Sequence, residues 1–217
     1  AASSEAVSSY NGYSKAGILS MTRTFYIPVF KNMSGDLTIN VTDSTTSSVS
    51  ISWNKIDGVT GYQIQTQDAN GNWVDYTYTG ETNVTFSNLQ SAYRFPLRIR
   101  SYTQNGKNIK WGNFFQINVA TKPSKVSGVK LSSSDTSVTV KWNKVSRASG
   151  YRIYVYNSSK KSYEFNKSVS NASTVSTKLT GLKPNKTYKI KVAAYKTADN
   201  IKFVGSKSSE ASIKTKN

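Results

Sequence analysis

A repeat of about ninety residues, built from alternating apolar and polar positions, constrains this chain more than any other feature. The run Val49–Lys55 matches Val138–Lys144, and the Gly-Tyr-x-Ile run at Gly61 returns at Gly150, both at an offset of 89. Farther along the chain the offset grows to 93, so the four extra residues must fall in a loop between strands. The 217 residues therefore contain two copies of one domain.

Within each copy the apolar residues follow a period of two. Val138, Val140 and Trp142 point to one side of a strand, and Thr139 and Lys141 point to the other. Six or seven short strands per copy, separated by turn residues and without a helical stretch, predict a β-sandwich. We therefore expect an all-β chain with a leader at 1–35, sandwiches at 36–122 and 125–217, and a short joint at 122–125.

Several residues of the repeat resemble fibronectin type III domains. Trp142 ends the second strand, Gly150-Tyr151 opens the third, and the Leu-Lys-Pro-Asn-Lys-Thr-Tyr run from Leu182 to Tyr188 precedes a later strand. The resemblance implies a seven-stranded immunoglobulin-like sandwich in each copy. It also implies that Tyr188 forms the tyrosine corner, in which the hydroxyl bonds to backbone a few residues upstream.

The first copy departs from this pattern at the same place. Phe95 stands where the corner tyrosine is expected, unless Tyr93 takes that role two residues earlier. Pro96 follows within a predicted central strand, where it removes one donor of the hydrogen-bond ladder. We expect a bulge or a distorted turn at Pro96 and a less regular first domain.

The leader does not repeat. Its run Phe25–Met33, of sequence Phe-Tyr-Ile-Pro-Val-Phe-Lys-Asn-Met, resembles the segment that closes the catalytic region of secreted Gram-positive endo-β-N-acetylglucosaminidases. Ser34 replaces the final Pro of that segment. The resemblance implies that the chain is the C-terminal part of a longer autolysin-like protein, whose catalytic domain lies upstream of Ala1. A compatible alternative is that Phe25, Ile27 and Val29 alternate as one more strand on the first sandwich.

The composition argues against catalysis by these residues. The chain has no Cys and no His, which excludes thiol nucleophiles, imidazole bases, disulfides and His/Cys zinc sites. The eleven Asp and Glu residues are scattered, and no pair has the arrangement that glycoside hydrolysis requires. We therefore predict no enzymatic activity for this fragment, no catalytic residues, no metal site and no cofactor.

Positive charge is concentrated in the second copy. Residues 124–217 hold nineteen Lys and Arg against four Asp and Glu, a net charge of +15, whereas 1–35 carry +2 and 36–123 carry +1. A small domain at +15 attracts polyanions and speeds their association. A second interpretation, a solubilising surface without a ligand, remains open.

A binding face is predicted on the second copy, because its third and sixth strands lie side by side in the fibronectin type III fold. Their outward positions alternate tyrosines with cations, which suit sugar rings and anionic groups. The predicted binding residues are Arg152, Tyr154, Tyr156, Lys189, Lys191 and Tyr195. The alternative is that these tyrosines only pair across strands and stabilise the sheet.

The equivalent face of the first copy reads as polar and nearly free of further aromatic residues. Its outward positions are Gln63, Gln65, Gln67, Arg98, Arg100 and Tyr102. A separate aromatic set comprises Trp73, Tyr76, Tyr78 and Trp111, with Trp111 opening the last strand. We expect this set to pack in the core or between the domains, with a ligand platform as the alternative.

Together these features predict a non-catalytic spacer and wall-binding pair from a secreted bacterial peptidoglycan hydrolase. The expected partners are anionic wall polymers such as teichoic acid and peptidoglycan, and the expected location is extracellular or on the cell wall. The alternatives are a surface adhesin fragment that binds a host protein and a spacer without a ligand. Nucleic acid lacks a recognition motif here, and no apolar run approaches the ~20 residues of a membrane span.

Overall fold

The computed structural model describes residues 37–217 together with the backbone of 30–31, and every described regular element is a β-strand. Among these residues there is no helix of the length and apolarity that crossing a bilayer requires. The leader segments that resemble a glucosaminidase or could form an added strand lie outside the described residues, except for Phe30–Lys31. Those two residues form β1, which pairs antiparallel with the strand β2 at Thr38–Ser44.

The first sandwich has a short sheet facing a five-stranded sheet. The short sheet has the order β1-β2-β3-β6, and the larger one has the order β5-β4-β7-β8 with β9 also paired to β7. The remaining strands are β3 (Val49–Trp53), β4 (Gly61–Gln67), β5 (Trp73–Thr79), β6 (Asn83–Phe86), β7 (Arg94–Asn105), β8 (Asn108–Trp111) and β9 (Phe115–Ala120).

The second sandwich repeats this arrangement. Its three-stranded sheet has the order β10-β11-β14, and its five-stranded sheet has the order β13-β12-β15-β16 with β17 paired to β15. The strands are β10 (Lys130–Ser133), β11 (Ser137–Lys141), β12 (Gly150–Asn157), β13 (Ser162–Val169), β14 (Ser176–Thr180), β15 (Thr187–Ala198), β16 (Ile201–Val204) and β17 (Ala211–Lys214).

The predicted all-β class with two tandem sandwiches is confirmed. Seven strands were expected in each; the second sandwich has eight, and the first has nine when β1 is included. In both copies the end of the long strand, β7 or β15, forms a hairpin with a short strand, β8 or β16. The last strand, β9 or β17, then pairs with the first half of the long strand. The four-residue change of offset falls mainly in the connection at 170–175, which is longer than the corresponding 80–82.

Each core is built around the same Trp–Tyr pair. Trp53 contacts Tyr62 edge to face with ring centroids 5.3 Å apart, and Trp142 contacts Tyr151 at 5.1 Å. Each tyrosine hydroxyl accepts a hydrogen bond from the backbone of the preceding loop, from Ile56 N–H in the first copy and from the Val145 N–H in the second. The period-two pattern therefore buries the side chains that it predicted to be inward.

Pro96 causes no bulge, contrary to the expectation from the sequence. The strand β7 runs through Pro96, which pairs with Asn118 of β9, while pairing with β4 ends at Leu97. Asn118 directs its own N–H away from β7, so this pair does not exchange ladder bonds. On the other side the ladder has already ended, and the missing donor of Pro96 costs nothing. The expectation for Trp111 was also wrong: this residue ends β8, and the last strand begins at Phe115.

The predicted tyrosine corner is present in the second sandwich. The Tyr188 hydroxyl accepts a hydrogen bond of 2.9 Å from the Lys183 N–H. In the first sandwich Phe95 lies in the core and has no hydroxyl, and Tyr93 stacks on it at 5.6 Å. In the first sandwich the position of the corner tyrosine is therefore taken by Phe95, which packs in the core and cannot form the corner hydrogen bond.

A buried threonine fastens this corner in both copies. Thr215 Oγ1 donates to the Lys183 carbonyl at 2.7 Å and accepts from the Lys186 N–H at 2.9 Å. Thr121 Oγ1 does the same in the first copy, with the Gln90 carbonyl at 2.6 Å and the Tyr93 N–H at 2.9 Å. The last strand of each sandwich is thus tied to the loop before its longest strand.

We expect Thr215→Val to lower the free energy of unfolding by about 1–2 kcal/mol, because a side chain of the same shape removes the hydroxyl that pairs two partly buried backbone groups. Urea denaturation of the full chain measures this. Thr180→Val, at an exposed position of β14, serves as the control and should change stability by less than about 0.5 kcal/mol. Equal effects of the two changes would contradict the proposed role of the hydroxyl.

The two sandwiches pack on one another through a hairpin of the second. Asp199 and Asn200 form its two-residue turn, both with positive φ, as a type I′ turn requires. Ala198 and Phe203 on this hairpin belong to the hydrophobic core of the first sandwich. The Asp199 carboxylate accepts from the Asn118 backbone N–H at 2.6 Å and from its side-chain amide at 2.9 Å. One hairpin therefore contributes both apolar and polar contacts to the neighbouring sandwich.

Candidate binding faces on the two sandwiches

The outer face of the second five-stranded sheet brings together five of the six residues predicted to bind, all except Tyr195. The strands β12 and β15 are neighbours, as expected, and Tyr154 lies directly opposite Lys191. Tyr156 lies beneath the Lys189 ammonium, which is 5.6 Å from the ring centroid. These contacts form a surface in which cations lie over tyrosine rings.

Tyr195 does not belong to this surface. It is only 2% exposed, because its ring covers Gly150 on the neighbouring strand, where the absence of a side chain leaves room. Lys202 lies over the same ring at 4.7 Å. The expectation that Tyr195 offers its ring to solvent was therefore wrong.

Tyr154 faces outward but is also covered, at 8% exposure. The Lys207 ammonium lies 4.6 Å from its ring centroid, and Phe165 of β13 meets it edge to face at 6.2 Å. Arg152 also lies by Phe165, with the guanidinium carbon 5.4 Å from that ring. The Tyr154 ring therefore packs beneath the Lys207 ammonium and is not exposed for stacking on a ligand.

Reasoning from β12 and β15 alone missed four further residues of this face, Tyr163, Phe165, Lys207 and Glu210. Tyr163 pairs with Tyr156 across strands at 5.2 Å, and Lys191 lies over its ring at 4.4 Å. The Tyr163 hydroxyl donates to Glu210, which also accepts from Lys189 at 3.1 Å. Burial, together with the Glu210 carboxylate, raises the pKa of Tyr163. Period-two alternation along β13 would have placed Tyr163 and Phe165 on one face.

An open groove of about 570 Å³ lies at the end of this face. It includes Tyr156 and Lys189 from the predicted set, with Lys186 and Tyr188 beside them. The Glu164 carboxylate in the groove already accepts hydrogen bonds from the side chains of Lys160, at 2.6 Å, and Asn157, at 2.7 Å. The hydrogen bond from Lys160 is the main cause that lowers the pKa of Glu164.

The first sandwich carries a more ordered face than the sequence predicted. On its five-stranded sheet, guanidinium groups and aromatic rings alternate in a stack. Arg98 lies 4.4 Å from the Trp73 centroid and 3.9 Å from that of Phe114. Arg100 lies 4.3 Å from Phe114 and 3.8 Å from Trp111. We call Trp73, Arg98, Phe114, Arg100 and Trp111 the arginine–aromatic ladder.

The interpretation of this face as nearly free of aromatic residues was wrong. Its aromatic rings come from the neighbouring strands β5 and β8 and from the loop at 112–114, not from β4 and β7. Tyr76, Tyr78 and Trp111 are all exposed on the surface, so the expectation that this aromatic set packs in the core or between the domains fails for these three. Tyr76 also contacts Phe86, with ring centroids 4.5 Å apart.

Glutamines and one carboxylate hold the two arginines in place. Arg98 Nε donates to Gln65 at 2.8 Å, and Arg100 Nε donates to Gln63 at 2.6 Å. Both glutamine amides in turn donate to Asp75, at 2.8 and 2.6 Å. The Gln65 bond is the main cause that lowers the pKa of Asp75. Burial and the charge of Arg100 lower the pKa of Arg98.

The two outer faces offer cations and aromatic rings to a partner. In the described part of the chain, no three Asp or Glu side chains gather into a group that could hold a metal ion. The fold and its outer faces define a pair of β-sandwich modules of the kind that space other domains or bind a partner.

Comparison with known families agrees with this class. The model of the fibronectin type III domain matches residues 36–118 and 122–203. The chain therefore belongs to the fibronectin type III family, and domains of this family are typically non-catalytic.

Two solved structures have similar folds. Crystallised FN1–FN3 domains of chicken CNTN1 share 19% identity at a TM-score of 0.48, with 82% of this chain and 66% of that chain covered. This chain thus spans less than two thirds of that segment. A two-domain fibronectin type III segment of chicken tenascin shares 18% identity at a TM-score of 0.41, covering 81% of this chain and 95% of that one.

Proposed function

We propose that this tandem pair holds a secreted bacterial peptidoglycan hydrolase on the anionic Gram-positive wall, as a non-catalytic binding module of the same chain. One observation carries the proposal: a net charge of +15 lies in residues 124–217, and several of its cations form the outer face of one sheet. Such a field concentrates polyanions near the surface and speeds their association. The hydrolase context is supported by the resemblance of the leader segment.

The contact is assigned to cations supported on rings. Lys191 lies over Tyr163 and Lys207 over Tyr154. Stacking on an aromatic ring leaves an ammonium group able to face solvent while limiting its freedom, so less entropy is lost when an anion binds. Lys189 contributes less, because Glu210 already neutralises it. Phosphate and carboxylate groups of wall polymers are the expected ligands.

The test is co-sedimentation of the full chain with purified walls, with and without teichoic acid, across a salt series. We expect binding that falls as salt rises and when teichoic acid is removed. The variant Lys191→Gln/Lys207→Gln should weaken it roughly two- to tenfold. The control, Lys130→Gln/Lys141→Gln, removes the same charge from a pair of opposed lysines on the other sheet.

Three outcomes would contradict the proposal. Equal losses in both variants would show that total charge acts without this face. If the chain does not sediment with walls even at low salt, the spacer interpretation is favoured. The packing of the Phe203 hairpin on the first core is consistent with a spacer. Salt-insensitive binding to a host protein would instead favour the adhesin alternative.

A further inference from the structure

The arginine–aromatic ladder of the first sandwich has unused hydrogen-bonding capacity. Each guanidinium has five N–H donors, and one of these, on Nε, is given to a glutamine. Among the described residues, the terminal nitrogens of Arg98 and Arg100 form no hydrogen bond or ion pair, and they are not fully buried. The two forks therefore keep their outer donors open to solvent.

The forks are also held in one geometry. Each guanidinium lies between two rings, Arg98 between Trp73 and Phe114, and Arg100 between Phe114 and Trp111. Ring stacking and the Nε bond together fix the plane of each group before any ligand arrives. Such preorganisation reduces the entropy lost on binding. A planar fork with paired donors matches the two oxygens of a carboxylate or phosphate group.

Spacing and surroundings define what can bind. Arg98 and Arg100 are two positions apart on one strand, which places them roughly 7 Å apart. Two forks at that spacing can engage successive anionic groups of one polymer. The guanidinium groups cover ring faces within the ladder, while Trp111 at one end of the ladder and its neighbour Tyr78 are exposed. The ladder lies on the outer surface of a five-stranded sheet, across which an extended polymer can lie.

We propose that Arg98 and Arg100 form an oxyanion-binding site for the acidic groups of a polysaccharide. This site differs from the face of the second sandwich in its mechanism. The second sandwich offers many lysines and a long-range field, whereas the first carries a net charge of only +1 over 36–123 and offers two fixed forks. The inference does not depend on the proposed wall function.

The test uses the full chain and defined probes. Oligogalacturonate supplies carboxylate groups, and inorganic tripolyphosphate supplies phosphate groups. The methyl ester of oligogalacturonate supplies the same sugar without charge, and polyglutamate supplies carboxylates without sugar. Backbone chemical shifts of residues 94–102 and affinities from calorimetry report binding. We expect oligogalacturonate or tripolyphosphate to bind with shifts at Arg98 and Arg100, and the preferred probe identifies the acidic group.

The decisive variant is Arg98→Lys/Arg100→Lys, which retains both charges and removes both forks. We expect it to weaken binding at least about tenfold, because a lysine cannot make the bidentate bond. The control, Lys107→Gln/Lys110→Gln, removes two charges of the same domain at the exposed β7–β8 hairpin. We expect it to change affinity less than about threefold.

Unchanged affinity in the Arg→Lys variant would overturn the proposal, because charge alone would then suffice. Equal binding of the methyl ester, or preference for polyglutamate over both other acidic probes, would overturn the assignment to acidic polysaccharide. If the double variant melts early, the single changes Arg98→Lys and Arg100→Lys give the same comparison. Lys191→Gln/Lys207→Gln in the second sandwich should leave the chemical-shift changes of residues 94–102 on ligand binding unaltered. The proposed function and this second proposal can therefore be refuted separately.

Discussion

Replacing Phe203 with Ala should lower the free energy of unfolding by about 3–5 kcal/mol, the range for removing a buried Phe side chain. Phe203 is 2% exposed and contacts the core of the first sandwich although it lies in the second. The truncation leaves a cavity between the sandwiches, where the surrounding strands cannot fully close. Urea denaturation of the full chain, followed by tryptophan fluorescence and circular dichroism, measures the loss.

Phe165→Ala provides the matched control for Phe203→Ala. Phe165 lies in the same sandwich but is 55% exposed, where it contacts Tyr154 and Arg152. Its removal should cost about 1 kcal/mol or less. A loss at Phe203 no larger than that at Phe165 would show that the hairpin does not complete the first core.

Gly150→Ala should destabilise the second sandwich by roughly 1–3 kcal/mol or more, through overpacking where the backbone cannot yield. A Cβ at this position would lie 2.3 Å from the Val169 carbonyl oxygen and 2.6 Å from the Tyr195 hydroxyl oxygen. The first contact is with backbone of the paired strand, so relief requires β13 to move. The same denaturation experiment measures the effect.

Two other glycines allow the destabilisation caused by an added methyl group to be compared with that at Gly150. Gly61, the equivalent residue of the first sandwich, has a looser contact of 2.7 Å to the Thr79 carbonyl oxygen, so Gly61→Ala should cost less than Gly150→Ala. Gly80 has no atom within 4 Å of the added position and no positive φ. Gly80→Ala should therefore be neutral or slightly stabilising. A different order of the three would refute the steric explanation.

The repeated Gly–Tyr pair shows which features of the fold could be predicted from the sequence and which could not. The match of Gly61-Tyr62 with Gly150-Tyr151 identified the start of a strand in each copy, and alternation placed both tyrosines inward. The reason for the glycine was not visible, because it depends on Tyr102 and Tyr195, which lie far along the chain and cross over the glycine from the adjacent strand. The same crossing buries Tyr195 and removes it from the predicted binding face.

What the sequence by itself determined is the all-β class, the tandem repeat and the inward side of the alternating strands, while the corner at Tyr188 was implied by the resemblance to the family. These features follow from local alternation and from residues spaced within one strand or turn, which act over short separations. The tertiary structure alone decided which cations and rings meet. The ladder joins β5, β7, β8 and the loop before β9, and the hairpin at Asp199 reaches another domain. Lateral strand pairing and packing between the sandwiches bring together these residues, which no spacing along the chain relates.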